Sequence, residues 1–262
     1  MNPARLGIGL ALALLPLAGA WGQWQGSVGA GLRQIHMLER DPQHRQLVRE
    51  HGPLPGVQAS ATYQTGDWRL GLRGDLYQGS IGYQGQSQGG AGLVSHTGTT
   101  QLRTGLTAAF ALTEHTSLMG ALEHDHWRRR IEGRGTTLGL HERYQSWRVL
   151  AGAGTRLLTL AGASLDGGAL LVWAQPEQLT VKFGGQVYDD AKLETRSARG
   201  LRLVFGLQPA STPKVSLNLE FDTLRIGRGD AATLFANGLA VGTVSQPDHR
   251  RQAVDLSLNY SF

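Results

Sequence analysis

The 262-residue sequence contains no cysteine, which excludes a disulfide framework and thiolate metal sites. Charged residues make up only 17% of the chain, and no apolar run beyond residue 20 approaches the ~20 residues that a membrane-spanning helix needs. A mean hydropathy of −0.22 is also too polar for a bundle of such helices. Glycine, by contrast, occurs 37 times. This length and composition suit one all-β domain, with two small domains as the alternative.

The formal charge is +5, and positive charge can indicate a nucleic-acid partner or an anionic surface. The lysines and arginines are scattered among turns and strand-like segments rather than massed on a helix, so nucleic acid is not the expected partner. The Gly-rich segment 82–98 has no GKS/T ending and no helix after it. It is therefore not a phosphate-binding loop.

Residues 1–20 have the organisation of a secretory signal peptide. Arg5 supplies a positive charge, Leu6 to Leu17 is apolar, and Ala18-Gly19-Ala20 is a small-residue cleavage site. The sequence therefore predicts a cleaved segment over 1–20 and an exported mature domain over 21–262.

The last ten residues, AVDLSLNYSF, alternate strictly between an apolar and a polar face. Val254, Leu256, Leu258, Tyr260 and Phe262 share the apolar face, and this period of two predicts a β-strand with two different faces. Such a closing strand with a terminal aromatic residue resembles that of Gram-negative outer-membrane β-barrels. The resemblance implies the outer membrane as location and recognition of this strand by the barrel-assembly machinery.

The same alternation recurs along the chain between long and short connections. Residues 39–55, 82–98 and 227–247 are predicted to be long loops, and Thr65-Gly66-Asp67 is predicted to be a tight hairpin turn. Short turns at one end and longer loops at the other are typical of outer-membrane barrels. The resemblance thus covers the whole mature chain.

Residues 155–177 leave the strand count open. They form either one irregular connection or a hairpin about Asp166-Gly167-Gly168, before a strand predicted over 179–188. The first interpretation gives ten strands and the second twelve, and the count must be even when both chain ends lie on the same side. We expect a single up-and-down antiparallel transmembrane β-barrel of about ten strands, with eight or twelve as alternatives.

A soluble lipocalin-type barrel also alternates, but its apolar face lines the inside. The opposite arrangement is favoured because the apolar faces of the clearest strands lack Lys and Arg, which cost about 2–4 kcal/mol at the middle of a bilayer. Aromatic residues such as Trp68 and Phe110 also fall near strand ends, where interfacial girdles belong. The polar face carries both signs of charge. Its predicted lumen charges are Arg69, Arg73, Asp75, Arg103, Arg202, Glu220, Asp222 and Asp255.

The densest ionisable cluster, EHDHWRRR at 123–130, lies toward the end of a strand that rises to the extracellular rim. Guanidinium groups form forked hydrogen bonds with phosphates. We therefore predict a rim that binds lipopolysaccharide, with a solvated rim without a fixed partner as the alternative. The predicted rim residues are Arg128, Arg129, Arg130, Arg134, Arg250 and Arg251.

Acidic and histidine residues near the strand ends give the chain a resemblance to omptins, which are ten-stranded outer-membrane proteases. That resemblance implies activation of water by an Asp/His pair and an Asp/Asp pair. Asp125 with His124 or His126 would supply the first pair, and Asp189 with Asp190 the second. In an extended strand, however, adjacent residues point to opposite faces.

Two other kinds of site have little support in the sequence. Ser95 and His96 are adjacent in a Gly-rich segment, whereas a lipid A deacylase needs a serine and a histidine positioned together with an acid. His124 and His126 share a strand face, but no further metal ligands accompany them. The sequence therefore predicts no metal site and no cofactor.

Small barrels are filled by their own side chains. The sequence therefore predicts a barrel whose lumen is largely closed by ionic side chains and whose role in the envelope is non-enzymatic, either structural or through loop-mediated binding. The alternatives are a narrow passive pore for small solutes and an omptin-like rim hydrolase.

Overall fold

The computed structural model describes residues 22–86, 90, 92–135, 137–160 and 162–262. The signal peptide predicted over 1–20 lies outside the described residues. Within them, no helix is long and apolar enough to cross a membrane. The elements are β1 (Gln23–Arg40), β2 (Gln46–Thr65), β3 (Trp68–Gln86), β4 (Gly92–Ala111), β5 (Thr116–Ile131), β6 (Leu140–Leu160), β7 (Ala163–Ala174), β8 (Gln178–Phe183), a 3-10 turn (Gly184–Gln186), β9 (Ala191–Glu194), β10 (Ala198–Pro209), β11 (Val215–Ile226), β12 (Ala232–Ala236), β13 (Leu239–Val244) and β14 (Asp248–Ser261).

Ten strands close into an up-and-down antiparallel barrel in the order β1, β2, β3, β4, β5, β6, β7, β10, β11 and β14. β14 pairs with β1 to complete the wall, and Arg33 lies opposite Asp255 at this seam. The prediction of an all-β, ten-stranded up-and-down barrel is confirmed.

The two ends of the barrel carry different connections. The turn end has short turns, such as the one between Thr65 and Trp68, together with the start of β1 and the end of β14. The hairpin end carries β8 and β9, which extend the wall from β6, and the separate hairpin of β12 and β13.

Two segments predicted to be long loops are largely strand. β1 continues to Arg40 and β2 begins at Gln46, so only residues 41–45 connect them. Pro53 and Pro55 suggested a loop, but they lie where the pairing of β2 with β3 is interrupted while that with β1 continues. Strands tolerate proline where no ladder hydrogen bond is required. Segment 82–98 likewise contains the end of β3 and the start of β4.

The strand assignment over 155–188 also needs correction. β6 runs to Leu160 and β7 begins at Ala163, so Asp166-Gly167-Gly168 lies inside β7 rather than in a turn. The strand predicted over 179–188 is instead the short β8, outside the ten-stranded wall. β7 escaped detection because both of its faces are apolar near its end: Leu170 and Val172 are buried inside while Leu171 and Trp173 are exposed outside. A strand that is apolar on both faces has no alternation between apolar and polar residues, so this pattern cannot reveal it.

The predicted loop over 227–247 contains the β12–β13 hairpin. Asn237 and Gly238 form its turn, with φ of 51° and 77°. Positive φ at both central residues is typical of the tight hairpin turn in which Asn-Gly is preferred.

The wall has an apolar outer face and a polar inner face. From the turn end to the middle of the wall, the exposed outer side chains include Val28, Leu32, Val57, Leu72, Leu106, Leu122, Val149, Leu219, Leu256 and Leu258. The strands β1 to β6 are 16–21 residues long, whereas a tilted membrane strand needs ~9–11 residues. The wall therefore continues beyond the apolar band, and toward the hairpin end its outer face becomes polar and basic.

Candidate functional site

A polar cavity of about 740 Å³ fills the lumen near the turn end. Amides and hydroxyls dominate its wall, including Gln58, Ser60, Asn218, Ser257 and Asn259. Several of these side chains are bonded to one another across strands, such as Gln58 Nε2, which donates to Asn259 Oδ1 at 2.7 Å. The cavity can therefore hold water.

An ionic layer crosses the lumen and forms the ceiling of this cavity. Arg202 donates to both carboxylate oxygens of Glu123 at 2.6 and 2.9 Å and to Asp222 Oδ2 at 2.6 Å. Arg33 donates to Asp255 at 2.7 Å and to Asp75 at 3.1 Å. Five arginines and six carboxylates make up the layer: Arg33, Arg73, Arg103, Arg148 and Arg202 with Asp75, Glu123, Asp125, Glu220, Asp222 and Asp255.

The ionic layer is dense because most of its members bridge several strands. Arg103 lies 3.0 Å from Asp75, 2.8 Å from Glu220 and 3.5 Å from Asp222. All its members except Arg73 are buried. Above the layer, the space between Arg33, Trp127 and neighbouring side chains is only about 30 Å³, room for about one water molecule. Among the described residues, the lumen is therefore narrow at this level.

An apolar cap closes the lumen a second time, nearer the hairpin end. Its buried members come from the wall and from β8 and β9: Met37, Trp127, Tyr144, Leu179, Val181, Ala191 and Leu193. Leu179 lies opposite Tyr144 in the pairing of β8 with β6, and Leu193 lies opposite Leu179 in the pairing of β9 with β8. The hairpin that follows β7 thus contributes four of the seven buried residues of this cap.

Two buried ion clusters border the apolar cap. In the first, Arg129 lies 2.8 Å from Glu50 and 2.6 Å from Glu142, and it also donates to the Tyr144 hydroxyl at 2.9 Å.

In the second cluster, Arg251 donates to Glu177 Oε2 at 2.5 Å and its guanidinium carbon lies 4.4 Å from the centre of the Trp127 ring. Burial alone would raise the pKa of Glu177, but Arg251, His249 and Arg148 together outweigh burial and lower the pKa to about 2. His249 Nδ1 lies 3.2 Å from the Pro247 carbonyl oxygen, which can only accept. The ring therefore carries a proton on Nδ1.

The structure places seven of the eight predicted lumen charges in the ionic layer. Arg69 differs, since it is exposed at the mouth of the polar cavity. Sequence reasoning missed Arg33, Glu123 and Arg148, although each lies on the polar face of an alternating strand. Arg33 follows Gly29 and Gly31 at period two, a signal that could have identified it.

Two residues of the predicted lipopolysaccharide-binding rim need correction. Arg129 and Arg251 are 2% and 7% exposed and point into the lumen, because each occupies an inward position of its strand. Arg128, Arg130 and Arg250 point outward and are exposed. Arg134, also exposed, lies beyond β5 and donates to the Val94 carbonyl oxygen at 3.1 Å.

The residues considered for water activation are not brought together. Asp125 is buried in the lumen, 2.6 Å from Arg148. His126 lies on the outer face, where its Nε2 accepts from Arg128 Nε at 2.9 Å. Asp189 accepts from the Gly238 backbone N–H at 2.9 Å, and Asp190 lies 2.6 Å from Lys182. Asp189 is therefore bonded to the turn of the β12–β13 hairpin, and Asp190 is paired with β8.

The other candidate chemistry is likewise dispersed over both faces. Ser95 lies on the inner face of β4, and its neighbour His96 is exposed on the outer face. His124 packs against Trp147, with ring centroids 4.9 Å apart. Among the described residues, no three His, Cys, Asp or Glu side chains are grouped so as to hold a metal ion.

No protein-family model and no curated protein matches the sequence. Solved structures do match. The outer-membrane protease OmpT from Escherichia coli has a TM-score of 0.54 and 11% identity, covering 91% of this chain and 96% of that chain. The translocator domain of the autotransporter NalP from Neisseria meningitidis has a TM-score of 0.47 and 10% identity, covering 90% of this chain and 88% of that chain.

A third match, the attachment invasion locus protein Ail of Yersinia pestis, has a TM-score of 0.35 and 12% identity, covering 92% of this chain and 99% of that chain. At these identities the matches concern the fold. The predicted resemblance is confirmed at that level: the chain has the fold of the Gram-negative outer-membrane β-barrels. A shared fold at this level of identity does not by itself assign an activity.

Proposed function

We propose that this protein is a non-conducting β-barrel of the outer membrane with a non-enzymatic role in the envelope, exerted through its outer surface and its hairpin end. The observation that supports this most directly is the double closure of the lumen, by the ionic layer and by the apolar cap. A solute entering the polar cavity would have to separate buried ion pairs, which costs several kcal/mol per uncompensated ion.

The proposed orientation places the turn end in the periplasm and the hairpin end outside the cell. Short turns on the periplasmic side and longer connections outside are the rule in such barrels. In this orientation β14 and Phe262 lie at the periplasmic side, where the barrel-assembly machinery would recognise the strand. The apolar outer face would then contact lipid.

Planar-bilayer recording tests the closed lumen. We expect no stepwise conductance from the purified mature protein. A variant with residues 178–194 replaced by a short Gly-Ser linker removes β8 and β9 and therefore four of the seven buried residues of the apolar cap. It should also remain silent, because the ionic layer is intact. Stepwise openings in the wild-type protein would overturn the proposal in favour of a narrow pore.

The non-enzymatic part of the proposal is tested separately with peptide and lipid A substrates. We expect no hydrolysis by the wild-type protein, because Asp125 points into the lumen whereas His126 lies on the outer face of the wall. Hydrolysis that disappears in both Asp125→Asn and His126→Ala would contradict the proposal and favour a rim hydrolase.

A further inference from the structure

A row of arginines crosses the outer face of three neighbouring strands. Arg199 of β10 lies directly opposite Arg225 of β11, and Arg225 lies directly opposite Arg250 of β14. The row continues through Leu38 of β1 to Arg49 of β2. Since neighbouring strands lie ~4.8 Å apart, the first three arginines fall within ~10 Å of one another.

All three side chains of this arginine row point away from the lumen and are exposed. Their chain neighbours show the inward face: Ala198, Leu224, Ile226, His249 and Arg251 are buried. In the part of the chain that the structure describes, none of the three guanidinium groups forms an ion pair with a carboxylate. Asp248, the acidic residue nearest on the same face of β14, has Oδ1 bonded to the Arg228 backbone N–H at 2.5 Å.

The arginine row lies at the upper border of the apolar band. Trp173 of β7 continues the row on the other side of Arg199 and is 44% exposed, as expected of a residue at a membrane interface. Toward the turn end, the outer face of the same three strands becomes apolar at Leu203, Phe221 and Val254. These three residues lie opposite one another, four residues along each strand from its arginine. Long arginine side chains at this level can reach the head-group region of a bilayer.

Like charges directly opposite each other on neighbouring strands are destabilising. Three arginines in register, without carboxylate partners, thus form a site that an anion would stabilise. We propose that the arginine row of Arg199, Arg225 and Arg250 binds the phosphate groups of the outer-leaflet glycolipid, lipopolysaccharide. Guanidinium groups present paired N–H donors that match phosphate oxygens, and the interfacial level makes a lipid head group the occupant. This inference depends on the outer-membrane location and not on the closed lumen.

Titration with fluorescently labelled lipopolysaccharide in detergent tests the site. A triple variant, Arg199→Gln, Arg225→Gln and Arg250→Gln, should bind at least about tenfold more weakly than wild type, a loss of ~1.4 kcal/mol. Its ten-stranded fold should persist, since all three side chains are exposed, and heat-modifiable migration on a gel checks this. Enzymatically dephosphorylated lipopolysaccharide should bind the wild-type protein as weakly as intact lipopolysaccharide binds the variant.

A charge-matched control separates the site from net charge. Arg45→Gln, Arg156→Gln and Arg196→Gln remove three exposed arginines away from the arginine row, which pair with Asp41, Asp166 and Asp230, and should leave binding unchanged. Equal losses in both triple variants, or unchanged binding in the arginine-row variant, would overturn the proposal. Displacement of lipopolysaccharide by millimolar inorganic phosphate alone would also overturn it, since the row would then be a free-phosphate site.

Discussion

The two halves of the lumen use polar residues in opposite ways. Near the turn end, amides and hydroxyls line a cavity of about 740 Å³ that opens at the mouth of the barrel. Beyond the ionic layer, charged groups such as Arg129 and Glu50 are buried in direct contact, 2.8 Å apart, beside apolar side chains. A neutral polar side chain can thus face water without a protein partner, whereas the buried charged groups lie beside groups of opposite charge.

This difference predicts where substitutions matter. A neutral side chain in a wet cavity can exchange a lost partner for water, so that its removal costs little. A buried ion cannot do so, and removal of one partner leaves the other uncompensated. The polar cavity should therefore tolerate change, and the ionic layer and apolar cap should not.

The largest effect is expected for Arg202→Ala. It leaves Glu123 and Asp222 buried without their closest cation, and breaking a buried pair in this way costs about 3–5 kcal/mol. The free energy of unfolding in detergent, measured by urea titration, should fall accordingly. Arg69→Ala is the matched control, because Arg69 is exposed at the cavity mouth, and a loss of similar size there would contradict the distinction.

Acid should weaken the hairpin half through Glu177. Its pKa is lowered from 4.5 to about 2 in the folded protein, so its stabilising contribution is complete above pH ~4.5 and is lost as the pH falls to ~2. This linkage corresponds to about 3 kcal/mol. Because other carboxylates titrate in the same window, the measurement is the difference in unfolding free energy between wild type and Glu177→Gln from pH 6 to pH 2. A difference that does not change with pH would contradict this role.

Leu179→Ala should destabilise the apolar cap by about 2–3 kcal/mol, the lower part of the range for a buried leucine, because β8 lies in a hairpin that can collapse onto the gap. Leu219→Ala on the outer wall is the control, since Leu219 is 39% exposed whereas Leu179 is 1% exposed. Thermal unfolding in detergent should show a clearly smaller effect for Leu219→Ala. Equal effects would mean that the cap is not packed as a core.

The smallest effect is expected in the polar cavity. Asn218→Ala should change the unfolding free energy by less than about 0.5 kcal/mol, since water replaces the lost group. A loss above about 2 kcal/mol for Asn218→Ala would show that this half is also a tightly coupled network.

Much of the wall could be predicted from alternation. The apolar positions of β14 and the polar positions that carry Asp75, Arg103 and Asp222 follow from period two, because one face meets an apolar environment and the other the lumen. The extension of β2 through Pro53 and Pro55 could not be predicted. Proline disfavours a strand in general, but the sequence does not show that β2 stays paired with β1 there while its pairing with β3 is interrupted. The prediction for β7 was wrong because Leu170 and Leu171 are both apolar. Leu170 is buried inside the barrel, whereas Leu171 is exposed on the apolar outer face.

For the candidate sites, too, alternation predicts the direction of a side chain but not its neighbours on other strands. Alternation separates Arg128 from Arg129, yet a run of arginines in the sequence looks like one rim. Arg199, Arg225 and Arg250 lie far apart in the sequence, and only strand register brings them into one row.

The sequence by itself determined that the chain forms a two-faced barrel, because side-chain direction along a strand follows from local backbone geometry. Only the tertiary structure decided which charges meet across the lumen, that β8 and β9 close it, and which arginines become neighbours on its outer face. Those outcomes depend on the register between strands distant in sequence, and register is set by the closure of the whole sheet rather than by any single segment.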